Sequence, residues 1–149
     1  MDYIQDFLHN RVLTTALLSW TVAQVSKMIL YTVMNREFRL ERMVGSGGMP
    51  SSHAATVCAL ATAVAKEYGM GTFEFAISFV LASIVLYDAR GVRLETGKQA
   101  VTISAIVNFL KEGTAIELPD MHLKELVGHT PFQVFVGSVL GILIGLLFG

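Results

Sequence analysis

The sequence predicts an all-α fold: a small polytopic membrane bundle of about five helices, four of them spanning and one short or interfacial. Composition is the first observation. Hydrophobic residues make up 53% of the 149 positions and charged residues 15%, against the roughly 25% charged residues usual in soluble proteins. The mean hydropathy of +0.57 is the second. The third is the clustering of apolar residues into runs. Val12 to Met34 holds one charge, Lys27, in 23 positions, and Pro131 to Phe148 holds none in 18. Crossing a hydrocarbon core takes about 20 residues. A compact soluble helical bundle is the competing reading, but its helices would need polar faces.

The same numbers exclude several functions. Net charge is −1 and the pI about 6.4, so no basic field points to nucleic acid. Cys58 is the one cysteine, which excludes a disulfide framework and a cysteine-based zinc site. The length is that of a single domain over residues 1–149. The opening Met1-Asp2-Tyr3-Ile4-Gln5-Asp6 is acidic where a signal peptide is basic, so the first apolar run is expected to be retained.

The first helix is expected over 11–35, followed by a loop over 36–51 that holds Arg36, Arg39 and Arg42. The second starts after Pro50-Ser51-Ser52 and ends near Tyr68-Gly69. A tight turn at Gly69-Met70-Gly71 leads to a third, ending near Tyr87. A polar stretch over 88–97 follows. Lys98–Leu110 reads as a short helix, lying in the interface or packing as a half-span. After a polar loop over 111–129 comes the last helix, with Thr130 as N-cap and Pro131 at its first position. Ala55, Ala59 and Ala63 recur every four residues, as do Gly137, Gly141 and Gly145. Small residues at this spacing let helices approach closely in lipid. The stripes serve packing within the bundle or, alternatively, a homo-oligomer through Gly137, Gly141 and Gly145.

With four helices crossing, the loops over 36–51, 88–97 and 111–129 share one face. Nine of the eleven Lys and Arg residues fall on or near it, with His53, His122 and His129. A cationic, histidine-bearing end of a bundle suits a phosphate carried on a membrane lipid. Positive residues favour the cytoplasm, so the expected location is the cell (inner) membrane with this face inside.

Gly47-Gly48-Met49-Pro50-Ser51-Ser52-His53 is the most informative segment. Glycines such as Gly48 free the backbone to turn amides toward an anion. Ser51 or Ser52 caps a helix whose N-terminus favours negative charge. His53 in the first turn then stands where an imidazole can protonate a leaving oxygen. A plain capped helix with a hydrogen-bonded histidine explains the same residues. Asp88-Ala89-Arg90-Gly91-Val92-Arg93 reads either as phosphate ligands or as a solvated helix end. In Gly128-His129-Thr130-Pro131-Phe132-Gln133, the pair Thr130 and Gln133 fits a capping box; His129 has no such structural duty. Lys27 inside the first apolar run costs roughly 2.5–3.5 kcal/mol on insertion scales. It therefore has a partner, or else snorkels to the interface.

Taken together, Gly47 to His53, Tyr87 to Arg93, Leu123 to Pro131 and Ala23-Gln24-Val25-Ser26-Lys27 resemble the divergent PAP2 family. These are small membrane proteins related to type 2 phosphatidic acid phosphatases and vanadium haloperoxidases. The resemblance runs from Leu17 to about Gly145. It implies a phosphatase that uses no metal and no cofactor, in which a histidine attacks phosphorus and forms a phosphohistidine. Carried over, His129 is the nucleophile and His53, in Pro50-Ser51-Ser52-His53, the general acid. Lys27 and Arg93 hold the phosphate with Arg39 or Arg42, helped by Ser51, Ser52, Gly48 and Arg90. Asp88, Glu125 and Gln133 are the candidates to orient the nucleophile.

Three departures accompany the resemblance. None of Arg36, Arg39 and Arg42 precedes a proline. His129 lies 36 residues beyond Arg93, far more than the family spacing. Gln133 stands where an aspartate is usual, and a glutamine cannot stabilise an imidazolium by charge. Three functions follow in order of expectation: a lipid-phosphate or lipid-diphosphate phosphatase, a non-catalytic binder of phospholipid or prenyl-phosphate headgroups, and a membrane scaffold. The first requires His53 and His129 within about 10 Å of each other, because both must reach one phosphate.

Overall fold

The computed structural model describes residues 2–37, 48–113 and 129–149, without the side chains at 92–94, 97–98, 108 and 110–113. Among them the chain is all-helical: α1 (Tyr3–His9), α2 (Arg11–Asn35), α3 (Ser52–Tyr68), α4 (Phe73–Arg90), α5 (Val92–Gly113) and α6 (Pro131–Phe148).

Helices α2, α3, α4 and α6 each begin on a polar side chain that takes a free backbone N–H. Asn10 Oδ1 accepts from Leu13 N at 3.0 Å before α2, and Ser51 Oγ from Ala54 N at 3.4 Å before α3. Thr72 Oγ1 accepts from Phe75 N at 3.4 Å before α4. At α6 the box is reciprocal: Gln133 N donates to Thr130 Oγ1 at 3.3 Å, and Thr130 N to Gln133 Oε1 at 3.1 Å. α2 stops where Arg36 turns left-handed, φ 53°, a common way to end a helix.

α3 is the centre of the bundle, packed by α6, α2 and α4. Small residues make the approach possible. A Cβ on Gly137 would overlap the Ser51 carbonyl, one on Gly141 the Ala55 carbonyl, and one on Gly145 would sit 2.6 Å from Thr62 Cβ. Ser19 Oγ donates to the same Ala55 carbonyl from α2 at 3.0 Å. The glycine stripe therefore meets α3 of its own chain, so the close packing it permits is used within the bundle.

The buried and exposed classes are inverted relative to a water-soluble bundle. The core is alanine-rich: Ala23, Ala54, Ala55, Ala59 and Ala63 are fully buried. Large apolar side chains face outward, with Phe79 57%, Ile84 62%, Phe135 64% and Leu147 74% exposed. Continuous apolar surface of this kind is what lipid covers and water does not. Among the described residues two helices, α2 and α6, are long and apolar enough to cross a membrane. α3 has 17 residues, a length of about 26 Å, and α4 carries Glu74, Asp88 and Arg90 within its 18.

Two expectations are corrected. The stretch 88–97 is not a polar connection: Asp88 and Arg90 complete the last turn of α4, and α5 already begins at Val92. Arg, Leu and Glu are good helix formers, and Gly91 alone makes the joint, its N–H bonded to the Tyr87 carbonyl at 2.9 Å. The N-terminal tail holds a helix, α1, whose Tyr3, Ile4, Phe7 and Leu8 are all exposed.

Candidate active site

The N-termini of α3 and α6 meet at one end of the bundle. Ser51 N–H donates to the Gln133 carbonyl at 3.1 Å, and His129 N–H to the Ala89 carbonyl at 3.4 Å. The first bond fixes the start of α3, and hence His53, against the start of α6. The second holds His129 against the last turn of α4. The imidazoles of His53 and His129 lie edge to face, with ring centroids 6.1 Å apart. The separation is inside the limit of about 10 Å that the catalytic reading sets.

Their surroundings differ. His53 is exposed, whereas His129 is 1% exposed. The Nδ1 atom of His129 is buried with no hydrogen-bond partner. An unpaired buried nitrogen costs roughly 1–3 kcal/mol, and a catalytic role is among the reasons a native fold keeps one.

Burial, foremost, and then the charge of Lys27 push the His129 pKa below the usual histidine value; Gln133 and the Gly48 backbone act the other way. The ring is therefore neutral at pH 7, the form a nucleophile needs. The consequence for stability has a definite sign. The unfolded histidine titrates near 6.5, and the folded one lower. The folded state thus binds fewer protons, and stability falls as pH drops below about 6.5 toward the folded value. The thermal midpoint in detergent is expected to fall over that range, and His129→Asn to flatten the slope.

Lys27 is 4% exposed in α2. Gly48 lies over its stem: φ there is +85°, and a Cβ would stand 3.3 Å from Lys27 Cγ. Only glycine takes that backbone conformation without strain. Lys27, Gly48, Thr130 and Gln133 line a cavity of about 360 Å³, with Tyr31 and Asn35 further along α2. Ser51 and Ser52 are buried at the head of α3. Asp88 is half-buried and Arg90 exposed at the end of α4.

The structure thus brings His53, His129, Lys27, Gly48, Ser51, Ser52 and Gln133 to one end. Arg93 lies in the first turn of α5; its side chain, like Arg39, Arg42 and Glu125, falls outside the described residues. Sequence reasoning missed Tyr31 and Asn35. Their signal was present, since positions four and eight beyond Lys27 share its helix face. Among the described residues no cluster of histidine, cysteine and carboxylates is placed to hold a metal.

A model of the divergent PAP2 family matches residues 8–144. An uncharacterized membrane protein of Bacillus subtilis (strain 168), YuiD, is 38% identical over 151 residues, covering 95% of this chain and 96% of that protein. No solved structure matches.

Proposed function

This chain belongs to the divergent PAP2 family, and we propose that it is an integral-membrane lipid-phosphate or lipid-diphosphate phosphatase working through a phosphohistidine. The observation that carries the reading is the pairing of buried His129 with exposed His53, 6.1 Å apart between centroids, with buried Lys27 on the adjoining cavity. The apolar outer faces of α2, α4 and α6 support a membrane setting, as does the similarity to a membrane protein of Bacillus subtilis. The Lys and Arg residues that the sequence alone assigns to the site's side support a cytoplasmic orientation.

In the first step a nitrogen of neutral His129 attacks phosphorus and the bond from phosphorus to the lipid oxygen breaks. His53, protonated and in contact with water, gives its proton to that oxygen, so the lipid leaves as an alcohol or, from a diphosphate, as a monophosphate. Lys27 holds the charge that develops on the phosphoryl oxygens, where preorganised cations contribute most. The amides at the head of α3 add the positive end of a helix dipole. In the second step His53 takes a proton from water, the oxygen attacks phosphohistidine, and inorganic phosphate leaves with His129 restored. The histidine route calls for no metal and no cofactor.

The test is phosphate release by the purified, detergent-solubilised protein, offered phosphatidic acid, phosphatidylglycerol phosphate and prenyl diphosphates without added metal. Release from at least one substrate is expected; release from none refutes the phosphatase.

One observation favours a second reading, a protein that binds phosphorylated headgroups without chemistry. Gln133 Oε1 is engaged by the Thr130 N–H at 3.1 Å, and it carries no charge to stabilise an imidazolium. Gln133→Glu separates the two. Glutamate keeps the capping box and adds a charge beside His129. An enzyme limited by that missing charge is expected to turn over about ten-fold faster, a fraction of the ~10⁴ such a contact is worth in serine proteases. A pure binder stays inactive.

A further inference from the structure

The cavity beside Lys27 changes character along its length. At its inner end Lys27 is 4% exposed; along its walls Leu30 is 37%, Phe132 63% and Met34 79% exposed. Lys27, Leu30, Tyr31 and Met34 follow the spacing that puts side chains on one helix face, and Met34 stands about 10 Å beyond Lys27 along α2. The cavity thus joins a buried cation to exposed apolar side chains, Leu30 and Met34 of α2 and Phe132 of the first turn of α6, in one lining.

We propose that this cavity is the slot for the hydrocarbon chain of a phosphorylated lipid, entered sideways from the bilayer between α2 and α6. Leu30, Met34 and Phe132 are then the residues that select the chain. The inference rests on the preceding reading for the phosphate at Lys27, and not on turnover. A cation at the closed end of an apolar cleft is complementary to an anionic head on an apolar body. A water-soluble phosphate ester would leave the walls at Leu30, Met34 and Phe132 wet, forgoing the burial of apolar surface that a hydrocarbon chain supplies. At about 360 Å³, the slot is at the low end of ligand cavities, roughly 300–1,000 Å³. It holds the head and the first part of a chain, and the rest stays in the bilayer.

A tryptophan at the mouth reports on the occupant. The chain has a single tryptophan, Trp20, so Trp20→Phe with Phe132→Trp leaves one indole at the cavity rim; Met34→Trp is the second reporter should the first not fold. The full chain is reconstituted in phosphatidylcholine vesicles containing a small fraction of chain-brominated phosphatidic acid, or the same fraction of chain-brominated phosphatidylcholine. Phosphatidic acid is expected to quench at least two-fold more. Unlabelled phosphatidic acid should remove the excess, inorganic phosphate should not, and Lys27→Gln should abolish it. Equal quenching by the two lipids, or removal of the excess by inorganic phosphate alone, overturns the slot. Excess quenching without phosphate release keeps the slot and refutes the phosphatase; phosphate release without excess quenching does the reverse.

Discussion

His129→Ala is expected to lower phosphate release by about 10³-fold or more, because it removes the atom that bonds to phosphorus. His53→Ala is expected to cost about 10²–10⁴-fold, the usual contribution of a positioned acid. The two losses differ in kind. A substrate such as p-nitrophenyl phosphate, whose leaving group departs without a proton, should recover most of the first-step rate in His53→Ala and none in His129→Ala. A single-turnover measurement of phenolate release reads that step alone. Equal losses with both classes of substrate would remove His53 from the acid role. Full activity in His129→Ala would remove the nucleophile, and with it the phosphohistidine route.

Gly141→Leu is expected to be the most damaging substitution outside the site. The added Cβ would overlap the Ala55 backbone, which cannot yield as a side-chain tip can, and three further carbons would have to pass the same contact. Overpacking typically costs about 1–3 kcal/mol; here α6 must leave α3, so a loss of about 4 kcal/mol or more is expected. Because the start of α6 bears on Ser51 and follows His129, the site should fail with the fold. Gly71→Ala is the control. A Cβ there meets nothing within 4 Å, so its effect should stay within about 0.5 kcal/mol. Thermal midpoints in detergent compare the two, and a Gly141→Leu protein as stable as Gly71→Ala would contradict the packing of α3 on α6.

Most of the bundle was legible because its signals are local. α2 begins after Asn10 and ends at Asn35, α3 begins after Ser51, and α6 opens on Thr130 and Pro131, each a position where cap chemistry is written in neighbouring residues. α5 was read too short because charges at 93–98 look like a loop when counted, although Arg, Leu, Glu and Lys are good helix formers. α1 was missed because its seven residues have too few turns to show a period. The pairing of His53 with His129 could be inferred from the topology, since His53 lies in the first turn of α3, His129 precedes α6, and the two helices begin on the same side. Tyr31 and Asn35 share the helix face of Lys27 and were legible as such; that this face lines a cavity with the start of α6 is a contact distant in sequence.

The most direct test is to trap the intermediate. The purified protein is mixed with phosphatidic acid labelled in its phosphate, quenched in alkali within one turnover, and digested for mass spectrometry. The paired-histidine site predicts one acid-labile, alkali-stable phosphate on the peptide that contains His129, absent in His129→Ala and accumulating in His53→Ala supplied with p-nitrophenyl phosphate. Phosphate release in the wild type with no phosphorylated histidine, or with phosphate on a different residue, would contradict it.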